Sequence, residues 1–374
     1  MAGLGTAGRP FIPAFLAHPG MRLVAAAEPD TSVRDAFAAE HGLATYPGLR
    51  EMLDHPGLNA VYIATPTPLH STHVHAAFAA GKHVIVEKPM ARDLAEAQAM
   101  VAAAAEADRI LVVGHSHSFD WPVNRMRAMI AGGSLGRVQM IHSWNFSDWI
   151  YRPRRADELD DAQGGGVTFR QGSHQFDIIR LLGGGLLRSV RAHAYDWDPA
   201  RPATGAHSVF LEFMDGATAT AVYNGYGGLP GSELCGGVTE WGFPEPVGSR
   251  PPVRRVPEND EAQGKRQRAR AAGRADPPFQ PHFGLTVVSG ERGDMRQSPE
   301  GLVLYTAAGR QAIDLRPAPT PHALVVAEFH DAVIGRTPPL HDGRWGLANL
   351  EVCWAALESS RTGQAVTLQH QVAA

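Results

Sequence analysis

The residues best suited to chemistry in this chain are a lysine ending an apolar run and a histidine behind a row of glycines. The lysine lies in His83-Val84-Ile85-Val86-Glu87-Lys88-Pro89-Met90. Three β-branched residues run into a charged pair and a proline, the pattern of a buried parallel strand stopping at its carboxyl edge. Proline lacks an N–H and fixes φ, so the strand stops there and a helix should begin near Asp93. Only three of the 34 basic residues are lysines: Lys82, Lys88 and Lys265. An arginine stays protonated, whereas a partly desolvated lysine can exchange a proton near neutrality. Lys88 is thus a candidate for proton transfer, against the plainer reading of a solvated lysine at a strand end. The histidine lies in Gly164-Gly165-Gly166-Val167-Thr168-Phe169-Arg170-Gln171-Gly172-Ser173-His174-Gln175-Phe176-Asp177. The segment that follows reads as helical, which puts His174 and Asp177 on one face. His174 could pass a proton to or from a substrate oxygen. The alternative is a buried histidine satisfied by Asp177.

A third group concerns binding. Gly3-Leu4-Gly5-Thr6-Ala7-Gly8 is a G-x-G-x-x-G run, followed by a helical pattern at Phe11, Phe15 and Leu16 and by the strand 23–27. Gly3, Gly5 and Gly8, with Thr6 and Ala7 between them, permit a tight turn and close approach of the backbone to a pyrophosphate. Glu28 follows Gly8 by twenty residues, where an acid accepts ribose hydroxyls. The cofactor so predicted is NAD; NADP stays open because Arg34 lies about one helical turn further on. Thr65, Pro66 and His70 fall at another strand end on the cofactor edge, as do Glu87 and Lys88. Only Met1 and Ala2 precede Gly3, so the central strand is expected to be nearly absent and the true start to lie upstream. His70, His73 and His75 raise a metal reading, but no carboxylate or cysteine accompanies them and no metal is predicted.

These residues need elements to position them. A chain of 374 residues suggests two domains. Strands 23–27, 60–64, 83–87 and 110–113 alternate with helices 31–41, 70–80 and 94–107, which implies a doubly wound parallel sheet over residues 1–120. From 121 to 374 the alternation stops. Strands at 138–144, 189–194, 208–213, 217–223, 284–289, 294–297, 302–305 and 311–315 imply an α+β domain with a mostly antiparallel, open-faced sheet. Such a face suits a substrate or a second copy, so a homo-oligomer (dimer or tetramer) through this sheet is expected. The stretch 247–281, rich in proline, glycine and arginine, reads as a mobile loop. A net charge of −4 without a basic stripe argues against nucleic acid, and no apolar run reaches membrane-spanning length. Cys235 and Cys353 form no metal spacing or disulfide framework, so a cytoplasmic enzyme acting on a small molecule is the default.

Taken together, the glycine run, Glu87-Lys88-Pro89 and the glycine-led His174-x-x-Asp177 resemble the Gfo/Idh/MocA oxidoreductase family. The likeness reaches the 346–352 and 360–363 segments near the end. It implies NAD(P) in the first domain, Lys88 as the proton-transfer residue and His174 as its companion at the substrate. Sugar and inositol members carry an aspartate four residues before that histidine, where this chain has Arg170, which puts polyol chemistry in doubt. The blocks 145–155, 163–166 and 282–285 are similar to the branch containing phthalate 4,5-cis-dihydrodiol dehydrogenase. That likeness implies oxidation of a ring cis-diol towards a catechol. Arg152, Arg154 and Arg170 could then hold carboxylates, since a guanidinium fork matches them, although Arg152 and Arg154 could equally be surface arginines. His115, His117, Tyr151 and Asp177 complete the expected substrate side. A sugar or inositol dehydrogenase and a non-catalytic dinucleotide sensor are the alternatives.

Overall fold

The computed structural model describes residues 1–246, 248, 261, 264–265 and 277–374, so most of the loop expected at 247–281 lies outside the described residues. The chain forms two compact units. The first takes residues 1–115 and 322–350, and the second 116–246, 277–321 and 351–374. The sequence pattern puts the division at 120 and everything after it in one domain. The segment 322–350 instead returns to the first unit, where Val113 donates its amide to His341 O at 2.8 Å and the Phe11 ring meets His322 at 4.6 Å. An apolar helix face announces that it will be buried, but not against which unit.

The first unit is built on parallel strands β1 (Ala25–Ala27), β2 (Ala44–Tyr46), β3 (Ala60–Ile63), β4 (His83–Glu87) and β5 (Leu111–Gly114). β1 pairs with β2, and β4 lies between β3 and β5. Met1 and Ala2 join the two groups. Ala2 donates to Tyr62 O and accepts from Ala64 N, both at 2.8 Å, while Ala27 N donates to Met1 O at 2.8 Å and Gly3 N to Ala27 O at 2.9 Å. Ala2 thus bridges β1 and β3. The Met1 ammonium is buried, bonded to Ala25 O at 2.9 Å, and burial lowers its pKa to about 5. Helices α1 (Ile12–Ala17), α2 (Thr31–His41), α3 (Leu49–Leu53), α4 (His70–Ala79) and α5 (Leu94–Glu106) connect the strands. α5 starts where the sequence indicates, with the Asp93 side chain accepting from Glu96 N.

The second unit begins with α6 (Trp121–Ala131) and carries a nine-stranded sheet. Its strands are β6 (Val138–Phe146), β7 (Leu187–Tyr195), β8 (Ala206–Phe213), β9 (Thr218–Asn224), β10 (Leu285–Gly290), β11 (Gly293–Ser298), β12 (Gly301–Thr306), β13 (Gly309–Asp314) and β14 (Val366–Thr367). They run β13-β12-β11-β10-β6-β9-β8-β7-β14, antiparallel except for β6 beside β9. Helix α7 (Ser173–Leu182), buried along its whole length, covers one face. Gln175 fixes it there, donating to Ser143 Oγ at 3.1 Å and Val222 O at 3.1 Å. The opposite face leaves Met140, Trp144 and Phe210 exposed. Among the described residues no helix is long and apolar enough to cross a membrane.

Candidate active site

In the first unit the glycine run makes the turn that its spacing indicates. Gly3 has φ +94, and a Cβ there would lie 2.6 Å from Ala64 O; a Cβ on Gly8 would lie 2.2 Å from Gly3 O. Gly5 is different: nothing lies within 4 Å of its Cβ position, and Gly5, Thr6 and Ala7 are exposed. The outer glycines close the turn, and the middle one leaves its outer side bare for a phosphate to approach. Elsewhere in this unit, after β3, Thr67 Oγ1 is fully buried with no hydrogen-bond partner among the described residues. Glu28 stands at the end of β1, with Oε2 accepting Leu4 N at 3.0 Å and Oε1 accepting Asp30 N at 3.2 Å. Arg34 donates to Glu28 O at 2.8 Å, Pro29 O at 3.3 Å and Thr31 Oγ1 at 3.1 Å. The bare turn and the Glu28 carboxylate fit a dinucleotide.

Lys88 is half-buried at the end of β4. The residues around it are joined by hydrogen bonds. Glu87 accepts the Tyr62 hydroxyl at 2.6 Å and the Lys88 amide at 3.3 Å. Burial first, then the Glu87 charge and hydrogen bond, hold the Tyr62 pKa well above its usual value, so Tyr62 remains a donor. His70 is buried, with Nδ1 3.0 Å from Pro89 O and Nε2 2.8 Å from Thr65 O. These contacts join the ends of β3 and β4. Thr65 Oγ1 pairs with His73 Nδ1 at 3.0 Å, and His75 Nδ1 lies 2.7 Å from Ser71 O. The three histidines are thus engaged separately. Among the described residues no group of three or more His, Cys, Asp or Glu could hold a metal. His115 is buried just after β5 in this unit.

In the second unit a π-helical turn, Thr168–Gly172, leads directly into α7 and so sets the aim of His174. His174 and Asp177 are both buried. The His174 ring meets His117 edge-to-face at 4.7 Å and Phe283 at 4.9 Å. His117 is itself buried between two carboxylates, Asp120 Oδ2 at 3.0 Å and Glu240 Oε1 at 3.1 Å. Burial opposes its charge, but the two carboxylates outweigh burial and raise its pKa to about 9. Sequence reasoning places His117 on the substrate side but does not find its two carboxylate partners. His117 is three residues from Asp120, but its other partner is 123 residues away.

The arginines are each paired. Arg152 Nε bonds Asp148 at 2.7 Å; Arg154 donates to Trp149 O at 3.1 Å, with its guanidinium 3.9 Å over the Trp149 ring. Arg170 lies 3.4 Å from Asp157, which also takes a forked contact from Arg155 at 2.8 and 2.9 Å. Burial disfavours the Asp157 charge, but Arg155, with Arg170, holds its pKa below the usual carboxylate range. Tyr151 packs edge-on against Tyr226 at 6.0 Å.

Residues 1–115 match the model of an oxidoreductase family with an NAD-binding Rossmann fold, and 123–227 match that of a GFO/IDH/MocA C-terminal domain. The chain is 37% identical to 1-carboxy-3-chloro-3,4-dihydroxycyclo hexa-1,5-diene dehydrogenase of Comamonas testosteroni, across 96% of this chain and 94% of that one. The chain belongs to the Gfo/Idh/MocA oxidoreductase family. Like other Gfo/Idh/MocA proteins it is an NAD(P)-dependent dehydrogenase, with a Rossmann domain followed by a mostly antiparallel sheet domain. A solved structure from Bordetella bronchiseptica RB50, described as a candidate dehydrogenase, matches with a TM-score of 0.92 and 39% identity, covering 98% of each chain. A 1,5-anhydro-D-fructose reductase of Ensifer adhaerens is 27% identical over 99% of this chain and 98% of its own length.

Proposed function

We propose that this dehydrogenase oxidises a vicinal diol on an unsaturated carbon ring that bears a carboxylate. The likeness to a dihydroxycyclohexadiene carboxylate dehydrogenase over almost the whole of both chains carries this reading. In the proposed reaction the carbinol C–H leaves as hydride and its O–H proton goes to a base. The resulting ketone tautomerises to a catechol, giving up a ring C–H proton and taking up a proton at the carbonyl oxygen. NAD+, when bound, supplies the hydride acceptor. The Gly3–Gly8 turn would hold its phosphates and Glu28 a ribose.

In this reading the chain's own residues handle the proton and the substrate. Lys88 takes the hydroxyl proton, which an arginine would be unable to do. His174 is its companion, hydrogen-bonding the substrate oxygen. Arg170, four residues before His174, faces a substrate carboxylate, with Arg152 and Arg154 as further candidates. The anhydrosugar reductase likeness favours a second reading, a sugar or inositol substrate, at lower identity. Arg170 in place of an aspartate supports the first. Two copies would pair through the sheet face that exposes Met140, Trp144 and Phe210. The deciding experiment is NADH formation across carboxylated ring diols, neutral ring diols, inositols and sugars. Turnover confined to inositols or sugars would overturn the assignment.

A further inference from the structure

The short hairpin Val238–Pro244 carries Glu240 and Trp241 at its tip. It is closed by the Val238–Pro244 bridge, by Thr239 N donating to Phe243 O at 2.8 Å, and by Gly242 N donating to Thr239 O at 2.9 Å. Gly242 has φ +81, and a Cβ there would lie 2.4 Å from Phe279 O, so glycine lets the tip pack this closely. His282 holds the hairpin at two carbonyls: its Nε2 donates to Val238 O at 2.7 Å and its amide to Glu240 O at 3.1 Å. The Glu240 carboxylate makes the third attachment, on the buried His117 ring. Trp241 therefore follows a residue fixed by both backbone and side chain, and precedes a glycine fixed by packing.

Even so, Trp241 is 48% exposed. Its ring lies 5.1 Å from that of His117, the ring that meets His174 at 4.7 Å. Phe283 touches both histidines, at 4.7 and 4.9 Å. A lone exposed aromatic is ordinary on a protein surface. An indole held at three points of its hairpin, one ring away from the candidate catalytic histidine, is a preorganised contact whose ordering cost is met before any ligand arrives.

We propose that Trp241 is a specificity-determining residue, a fixed aromatic surface against which the unsaturated ring of the substrate packs beside His174. The inference rests on the ring-diol reading above and adds the group that recognises the ring. Glu240 and His117 act as positioning residues, holding the hairpin so that the indole keeps its place.

The test uses calorimetric binding to the NADH-loaded full chain, with 3,4-dihydroxybenzoate and its saturated counterpart, 3,4-dihydroxycyclohexane-1-carboxylate, as probes. Trp241→Ala should weaken dihydroxybenzoate about tenfold, the size of a good aromatic pair, and the saturated acid far less. Trp241→Phe should recover most of the loss, and Glu240→Gln should weaken dihydroxybenzoate in the same direction. An unchanged Kd in Trp241→Ala, an equal loss for both probes, or no binding of dihydroxybenzoate to the unmodified chain overturns the inference. Turnover of ring diols by the unmodified chain tests the underlying reading separately. If ring diols are oxidised while the Kd is unmoved, the role of Trp241 falls and the reading stands. If no ring diol is oxidised while the selective loss persists, the reading falls and the aromatic contact stands.

Discussion

The Tyr62 hydroxyl donates to Glu87 at 2.6 Å, linking β3 to the last residue before Lys88. Both side chains are buried, and the same carboxylate accepts the Lys88 amide at 3.3 Å. Lys88 is thus seated by its neighbours in the sheet. Removing the hydroxyl leaves a buried carboxylate short of a donor. Tyr62→Phe should therefore cost about 1.5–3 kcal/mol of folding stability, as hydrogen bonds to charged groups do. Chemical denaturation monitored by circular dichroism measures it, and an unchanged midpoint would mean that the bond contributes nothing.

Cofactor choice follows from Glu28 and Arg34. The carboxylate would repel a 2′-phosphate, and the Arg34 guanidinium is engaged with Glu28 O, Pro29 O and Thr31 Oγ1. kcat/KM with NAD+ should exceed that with NADP+ by about tenfold or more, roughly 1.4 kcal/mol. Initial rates with both cofactors decide, and equal or better use of NADP+ would defeat the assignment.

The carboxylate contact is assigned to Arg170. Arg170→Gln should raise KM for a carboxylated ring diol about tenfold or more, with a smaller effect on kcat, because a charge-assisted contact is worth about 1.5–3 kcal/mol. A neutral diol should barely distinguish the two proteins. If the carboxylated substrate is also indifferent, Arg170 is structural.

His117 makes stability depend on pH. Its folded pKa of about 9 lies above the ordinary 6.5. Its contribution is therefore fully present below pH 6.5 and is lost as pH rises through about 9. Thermal unfolding at pH 6, 7.5 and 9.5 should show a steeper alkaline loss in the unmodified chain than in His117→Gln. Parallel curves would show that His117 is not the titrating group.

Much of this was legible in the sequence because it is local. The glycine run, the apolar strand into Lys88 and the Asp93 cap are each set by residues within a few positions of one another. What escaped was set by distance or by brevity. β2 is three residues, Ala-Thr-Tyr, too short to show an alternation. Ala2 acts as a strand only because β1 and β3 flank it. The contacts of the His70 ring nitrogens with the carbonyls of Thr65 and Pro89 join two strand ends, and no local pattern records them. The pairing of His117 with Glu240 spans most of the second unit, and no periodicity records it.

The most direct test of the proposed chemistry is Lys88→Met, assayed for turnover of a confirmed ring diol and for NADH binding by fluorescence. General acid–base catalysis contributes roughly 10²–10⁴-fold, so kcat should fall by about that much while NADH affinity is kept. Lys88→Arg should fail almost as badly, since a guanidinium holds its proton at working pH. If Lys88→Met keeps more than about a tenth of the turnover, well short of the loss expected of an acid–base residue, another residue removes the proton and the assignment of Lys88 is wrong.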